Sequence, residues 1–171
     1  NAKPNPAHLA LARLEEMGLL ASIITQNIDN LHQMAGSRNV VEFHGNTSVL
    51  ECLACGASYR ADEFKVTNKP PRCKACKAIL KPSVIFFGEA IPTQALHESE
   101  RLANKADAIL VAGTSAVVYP ASSIPYMVKS NGGAVIEVNM ESTGLTGSIT
   151  DVFLKGRAGA VMPRLLEHLI G

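Results

Sequence analysis

The sequence predicts an α/β fold built around a parallel sheet, and two observations support this prediction. Several short runs consist almost entirely of Val, Ile, Leu and Ala, which is typical of strands covered by helices on both faces. These runs alternate along the chain with stretches of helical character, as they do in parallel sheets whose strands are joined by helices. The predicted strands cover residues 19–25, 39–43, 83–88, 107–115, 133–139 and 151–156.

The segments between these runs carry helix start and stop signals. The first helix has Asn5 in position to cap it, Pro6 at its first position and Gly18 just beyond its end. These residue types are favoured at those three places. Further helices are predicted for residues 30–35, 92–105, 120–130 and 158–170. The 171 residues suit one ordinary domain with room for a small insertion.

The composition narrows the classes of function. Hydrophobic residues make up 47% of the chain and charged residues 18%, which indicates a folded core rather than disorder. The net charge of +1 provides no electrostatic argument for a nucleic-acid or membrane partner. No apolar run approaches the ~20 residues that span a bilayer. We also find no charged-then-apolar leader, so we expect a cytoplasmic protein.

Residues 49–80 differ in character from the rest and contain all four cysteines. Two Cys-x2-Cys pairs, Cys52 with Cys55 and Cys73 with Cys76, have the spacing of a four-thiolate zinc site. Four protein ligands leave no position for water, so the predicted zinc is structural. Disulfides are disfavoured in a cytoplasmic chain. The lysines and arginines here could contact nucleic acid, but the helix and histidines of a reading finger are missing, so we interpret them as a solvated surface.

Three of the predicted strands end in polar or small residues: residues 25–27, residues 113–115 and Asn139. Ligands of open α/β sheets bind beyond the carboxyl ends of the strands, so these positions are candidates for a site. The alternative is that strand ends are polar simply because they lead into loops. His44 follows a short strand and precedes Gly45. A histidine there could act as a general base near neutral pH, or it could be a capping or core residue.

Taken together, these motifs resemble sirtuins, which are NAD-dependent protein-lysine deacylases. The motifs that occur in the sirtuin order are TQNIDNLH (25–32), FHG (43–45), the two cysteine pairs, KPSVIFFGE (81–89), GTSAVVYP (113–120) and VN (138–139). The resemblance covers essentially the whole chain, and the compact spacing is similar to that of the small microbial members. It implies a Rossmann-like NAD-binding domain formed by residues 1–48 and 81–171, with a zinc-binding module at 49–80.

The resemblance also implies roles for individual residues. His44 would be the general base, with Asn27 as a second catalytic residue, and the acyl group of an acyl-lysine protein or peptide would pass to ADP-ribose as nicotinamide leaves NAD. The nicotinamide and its ribose would be bordered by Gln26, Asn27, Ile28 and Asp29. The adenosine half would be bound by Gly113, Thr114, Ser115, Asn139 and the backbone near Ala158. The substrate peptide would lie beside Val84, Phe87, Gly88, Glu89 and Val117.

One departure from the sirtuin pattern lies at the front of the chain. Sirtuins begin with a strand and a glycine-rich loop, whereas no glycine precedes Gly18 here. We therefore expect a truncated catalytic domain with weakened NAD binding. The alternative function is a non-catalytic, zinc-stabilised module that binds a peptide or a nucleotide. A dinucleotide oxidoreductase is disfavoured because the chain has no Gly-x-Gly-x-x-Gly loop.

Overall fold

A computed structural model of the chain describes residues 2–170, and these residues form five α-helices and eight strands. Two short 3-10 helices, Ala61–Glu63 and Ala121–Ser123, accompany them. The helices are α1 (Pro6–Glu16), α2 (Leu31–Met34), α3 (Thr93–Ala103), α4 (Ile124–Ser130) and α5 (Ala158–Ile170). The strands are β1 (Ile23–Thr25), β2 (Val40–Glu42), β3 (Gly45–Cys52), β4 (Ser58–Arg60), β5 (Leu80–Val84), β6 (Ala108–Ala112), β7 (Ala134–Asn139) and β8 (Val152–Lys155).

The predicted start of the first helix is confirmed. Asn5 is the capping residue, and its side-chain oxygen accepts hydrogen bonds from the backbone N–H groups of Ala7 (2.9 Å) and His8 (3.3 Å). The backbone N–H of Asn5 donates in return to Nδ1 of His8 at 3.2 Å. This reciprocal arrangement satisfies donors that a helix otherwise leaves unpaired at its first turn.

The strand predicted to begin at residue 19 begins only at Ile23. The backbone N–H groups of Leu19 and Leu20 both donate to the carbonyl of Leu14, at 2.9 and 3.2 Å. These two leucines therefore complete the end of α1, where helical carbonyls lack partners within the helix. Their apolar character indicated a strand, but the hydrogen bonds place them in the helix terminus.

The strand predicted for residues 83–88 lies nearer the N-terminus than expected. The observed strand β5 ends at Val84, and it pairs antiparallel with β3. Beyond it, the backbone N–H of Glu89 donates to the carbonyl of Phe86 at 3.0 Å and closes a turn. Phe86 and Phe87 are both exposed, so their apolar character does not mark a buried strand.

The contacts divide the chain into two compact units. The first consists of the residues up to Ile24, Leu31–Val41 and the chain from Thr93 onward. Its sheet has the order β6-β7-β8 and is parallel throughout, as predicted. One buried cluster joins α1, α5 and β7, and a second lies on the sheet. Their buried members are Ala7, Ala10, Leu14, Val138 and Met162 in the first, and Val111, Val135 and Leu145 in the second.

The second unit consists of Thr25–Asn30 and Glu42–Pro92. Its antiparallel sheet has the order β4-β3-β5. The residues predicted as a zinc-binding module, 49–80, lie within this unit. Its core contains two of the cysteines beside apolar side chains, namely Leu50, Cys52, Cys73 and Leu80. Among residues 2–170, none of the helices combines the length and the apolar character that crossing a bilayer requires.

Candidate functional site

The four cysteines converge on one point in the second unit. Their sulfur atoms all lie within 4.8 Å of one another. The Sγ atoms of Cys52 and Cys76 are 3.4 Å apart, and those of Cys55 and Cys73 are 3.6 Å apart. A tetrahedral zinc site with Zn–S bonds of about 2.3 Å separates its sulfurs by roughly 3.8 Å. The donor set therefore fits Zn²⁺ in both chemistry and spacing.

Both cysteine pairs form the same kind of turn. The backbone N–H of Gly56 donates to the carbonyl of Cys52 at 2.8 Å, and that of Lys77 donates to the carbonyl of Cys73 at 3.0 Å. Gly56 and Lys77 have φ values of +74° and +66°. Glycine adopts this conformation without strain, which suits Gly56 to the first turn. Its counterpart at Lys77 had no sequence signal, since a non-glycine residue in this conformation is strained by about 1–2 kcal/mol.

The cysteine thiols differ in pKa because their hydrogen-bond partners differ. The Tyr59 hydroxyl lies 3.3 Å from Sγ of Cys73, and with the backbone N–H of Cys76 it lowers the pKa of the Cys73 thiol to about 6. At Cys55 the backbone N–H of Ala57 acts to lower the pKa, but the three other thiols outweigh it and raise the pKa to about 12. Four thiolates so close together require a cation, which a divalent metal supplies.

The segment Thr25–Asn30 is held through its backbone carbonyls. The N–H of Phe43 donates to the carbonyl of Thr25 at 2.9 Å. Both the N–H and the hydroxyl of Thr47 donate to the carbonyl of Ile28, each at 3.0 Å. The conformation of this polar stretch is therefore fixed by hydrogen bonds from the turn that contains Phe43 and from β3, which contains Thr47. Within it Asn27 and Asp29 are exposed, whereas Gln26 and Ile28 are half-buried.

His44 lies in the turn between β2 and β3 with one ring nitrogen engaged. Its Nδ1 is 3.2 Å from the backbone carbonyl of Gln26. A carbonyl can only accept, so Nδ1 carries a hydrogen, and in the neutral ring the lone pair is on Nε2. The fully buried ring of Phe43 contacts the imidazole edge to face, with ring centroids 5.7 Å apart. The half-buried His44 is therefore oriented with Nε2 as the basic atom.

The first unit contains a cavity of about 250 Å³ at the carboxyl ends of β6 and β7. Four predicted residues line it, and three unpredicted residues complete the lining. The predicted ones are Gly113, Thr114, Ser115 and Asn139, and the others are Glu141, Ser142 and Thr143. The unpredicted residues follow directly after β7, so their position beyond a strand end was the signal that could have identified them.

The side chain of Asn139 is bonded to the protein at both of its polar atoms. Its Nδ2 donates to the carbonyl of Thr114 at 2.7 Å, and its Oδ1 accepts from the N–H of Met140 at 2.9 Å. The backbone N–H of Gly113 donates to the carbonyl of Val138 at 3.1 Å. Asn139 thus ties the loop after β6 to the end of β7 and sets the shape of this side of the cavity.

Glu89 closes the turn beyond β5. Its carboxylate accepts hydrogen bonds from the Lys81 ammonium at 2.6 and 2.7 Å and from the backbone N–H of Phe86 at 2.9 Å. The Lys81 hydrogen bond, followed by that of Phe86, lowers the pKa of the Glu89 carboxyl from its ordinary value. Glu89 is therefore an ionised side chain that stabilises the turn over residues 86–89.

The remaining predicted residues occupy different surroundings. In the second unit Val84 is buried at the end of β5, Gly88 follows it in the turn, and Phe87 is fully exposed. In the first unit Val117 is exposed. Ala158 is the first residue of α5 and packs against the buried cluster of the α1 and α5 helices.

The sequence of the chain matches a known protein family. The Sir2 family model matches residues 1–120, a range that includes the four cysteines, the polar segment after β1 and His44. The chain belongs to the Sir2 family. The predicted resemblance to sirtuins is therefore confirmed, and the match extends through the Gly113–Ser115 loop that lines the cavity.

Relatives of this Sir2-family chain share about half of its residues. An NAD-dependent protein deacylase of Thermococcus kodakarensis is 52% identical over 174 residues, an alignment that covers 98% of this chain and 67% of that protein. A protein of the same name from Pyrococcus furiosus is 50% identical, with 98% of this chain and 69% of that protein covered. The chain thus spans about two thirds of the length of these relatives.

Solved structures of Sir2 proteins share the fold. A mutant Sir2 homologue in complex with ADP ribose matches with a TM-score of 0.96 and 46% identity, covering 99% of this chain and 68% of that one. A Sir2 protein bound to a myristoylated histone peptide matches with a TM-score of 0.88 and 45% identity, covering 99% and 73%. The predicted Rossmann-like α/β fold is confirmed by these matches.

Proposed function

We propose that this Sir2-family chain is an NAD-dependent protein-lysine deacylase, with His44 as its general base. The observation that carries the proposal is the hydrogen bond between Nδ1 of His44 and the carbonyl of Gln26, which directs the ring's basic character to Nε2. NAD supplies an electrophilic ribose carbon and nicotinamide as the leaving group. Nε2 of the neutral His44 imidazole would then accept a proton from a ribose hydroxyl, which is the role of a general base.

The nicotinamide half of NAD is assigned to the polar segment of the second unit. Gln26, Asn27 and Asp29 offer amide and carboxylate groups that can hydrogen-bond an amide and ribose hydroxyls, and Ile28 offers an apolar contact. The hydrogen bonds from Phe43 and Thr47 support this role because they fix the backbone conformation of the segment. Asn27 is exposed, which suits a side chain that contacts substrate as a second catalytic residue.

The adenosine half of NAD is assigned to the cavity of the first unit. Its volume of about 250 Å³ and its lining of hydroxyl, amide and carboxylate groups suit a ribose ring with its hydroxyls. Gly113, Thr114, Ser115 and Asn139 are the proposed contacts, together with the backbone at Ala158. The tie between Asn139 and Thr114 supports the assignment, since it shapes the cavity before any ligand enters.

The proposed substrate is a protein or peptide that carries an acyl-lysine. The Sir2 protein bound to a myristoylated histone peptide supports this class of substrate. Val84, Phe87, Gly88, Glu89 and Val117 are the proposed contacts, with the peptide adding as a strand. The full exposure of Phe87 supports its part in this surface. No nucleic-acid contact is proposed, and the cytoplasm is the proposed location.

The four cysteines would hold a structural Zn²⁺ that stabilises residues 49–80. The close spacing of the four sulfurs supports zinc, and the packing of Cys52 and Cys73 within an apolar core supports a structural role. We propose residues 49–80 as the zinc-binding module and residues 1–48 and 81–171 as the NAD-binding domain.

The proposed activity is tested by incubating the chain with NAD and an acetyl-lysine peptide and measuring released nicotinamide. Release should depend on the acyl peptide, and His44→Ala should reduce it by roughly 10²–10⁴-fold. His97→Ala is the matched control, because His97 is an exposed histidine on α3, and it should leave the rate unchanged. Undiminished activity of His44→Ala would exclude the assigned base. Binding of peptide or ADP-ribose without any nicotinamide release would favour the non-catalytic binding module.

A further inference from the structure

Glu137 is a carboxylic acid in the interior of the first unit. It lies in the middle of β7, and only 1% of it is exposed. On the same face of β7, two positions away, Val135 belongs to the buried cluster with Val111 and Leu145. A buried carboxylate is expensive to desolvate, and an apolar residue of similar size would serve packing at least as well. The position therefore requires an explanation other than packing.

Three threonine hydroxyls surround this carboxylate. Thr143 donates to Oε1 at 2.7 Å, while Thr146 and Thr150 donate to Oε2 at 2.6 and 3.0 Å. All three belong to the segment that connects β7 to β8. Hydrogen bonds to a charged acceptor are stronger than those between neutral groups, so each one fixes a point of this segment. The carboxylate thus holds the segment at three points spread over residues 143–150.

Two of these hydroxyls also connect the carboxylate to the segment's backbone. The N–H of Leu145 donates to Oγ1 of Thr143 at 3.1 Å, and the N–H of Thr143 donates to Oγ1 of Thr146 at 2.9 Å. Each hydroxyl therefore accepts from a backbone amide while it donates to Glu137. At these two hydroxyls the acceptor of the hydrogen and the donor to the oxygen are therefore both fixed, which favours a single hydrogen-bonding pattern in this part of the loop.

The anchored segment forms one wall of the cavity. Thr143 lines the cavity, and so do Glu141 and Ser142, the two residues immediately before it. We propose that Glu137 is a positioning residue, which fixes this wall through Thr143, Thr146 and Thr150 and so prepares the cavity for the adenosine half of NAD. The ligand assignment rests on the proposed function. The anchoring of the segment stands on the hydrogen bonds alone.

The substitution Glu137→Gln tests the anchor with almost no change in volume. A glutamine side chain keeps one acceptor oxygen and replaces the other with an NH₂ group, which only donates. At least one threonine hydroxyl must then accept from this NH₂ group instead of donating to residue 137, and its own hydrogen loses the acceptor it has in the unaltered chain. The NH₂ group thereby competes with the backbone N–H from which the same hydroxyl oxygen accepts. Ser148→Ala is the matched control, since Ser148 lies in the same segment but donates to the carbonyls of Gly144 and Leu145 instead.

Hydrogen exchange at the amides of Thr143 and Leu145 provides the readout that needs no ligand. In Glu137→Gln the protection of these two amides should fall on the order of tenfold, with the amides of α5 unchanged as evidence of an intact fold. In Ser148→Ala both should keep their protection. Unchanged protection of Thr143 and Leu145 in Glu137→Gln would overturn the proposal, whatever the activity of the chain.

Titration with ADP-ribose then tests the consequence for the cavity. Glu137→Gln should raise the dissociation constant on the order of tenfold, which corresponds to about 1.4 kcal/mol. In deacylation assays the KM for NAD should rise similarly, while kcat and the KM for the peptide stay within about twofold, because only cofactor binding is affected. Lost protection with unchanged ADP-ribose affinity would refute the positioning role. If the unaltered chain binds no ADP-ribose, the proposed function fails, and hydrogen exchange still decides the anchor.

Discussion

Gly45 is the position where a single methyl group should disturb the candidate site most. It follows His44 directly, opens β3 and has a φ of +68°. A Cβ atom added there would lie 1.8 Å from the carbonyl oxygen of Ser83 and 2.9 Å from its carbon. Ordinary contacts of this kind begin near 3.4 Å, so the two strands would have to separate by about 1.6 Å. The obstacle is backbone, which cannot rotate away as a side chain can.

The expected effect of Gly45→Ala has two parts. The left-handed backbone conformation disfavours alanine by about 1–2 kcal/mol. Overpacking adds about 1–3 kcal/mol more, so the free energy of unfolding should fall by about 2–5 kcal/mol. Gly56→Ala is the matched control in the same unit, because Gly56 has a φ of +74° but no atom within 4 Å of an added Cβ. It should show only the conformational part.

Urea unfolding of both variants gives the free energy of unfolding and so separates the conformational part from the steric part. Zinc content is measured on the same samples because Gly56 adjoins Cys55. Nicotinamide release is measured on the folded proteins. Gly45→Ala should also lower activity, because movement of its turn carries His44 away from the Gln26 carbonyl. Equal unfolding free energies for the two variants would refute the steric argument at Ser83. Full activity of a destabilised Gly45→Ala would refute the link between this turn and the base.

Two further predictions concern metal and pH. Tyr59→Phe removes the hydroxyl beside Cys73, so zinc affinity measured by chelator competition should fall by roughly tenfold or more, and unchanged affinity would contradict a supporting role. The pKa of the Asp151 carboxyl is lowered by the hydrogen bond from Lys129 and then by the N–H of Val135. This stabilisation is complete above the unfolded pKa of about 3.9 and is lost as pH falls through the lower folded value. Asp151→Asn should therefore unfold more easily than the unaltered chain at pH 6, and the difference should shrink in acid; a constant difference would contradict the assignment.

The features that the sequence predicted correctly are those determined by local chemistry. The cap at Asn5 needs only the next three residues, and the Cys-x2-Cys spacing is that of a turn that directs two sulfurs to one point. The parallel sheet follows from the apolar runs of the second half of the chain. These signals hold because neighbouring residues determine them with little influence from distant contacts.

The features that the sequence did not predict depend on tertiary contacts. Leu19 and Leu20 are as apolar as strand residues, but their hydrogen bonds to Leu14 place them at a helix end. The bonding of Glu137 depends on a loop that returns three threonines to it from up to 13 residues away. Neither result could be read from periodicity, since burial and partner choice are settled by tertiary packing.

The fate of the acyl group tests the central claim most directly. The chain is incubated with NAD and an acetyl-lysine peptide, and all products are quantified by mass spectrometry. An NAD-dependent deacylase should yield free lysine peptide, nicotinamide and O-acetyl-ADP-ribose in equal amounts, and no deacetylation when NAD is omitted. Deacetylation that proceeds without NAD, or that releases acetate with no acetylated ADP-ribose, would contradict the function proposed for His44 and the cavity.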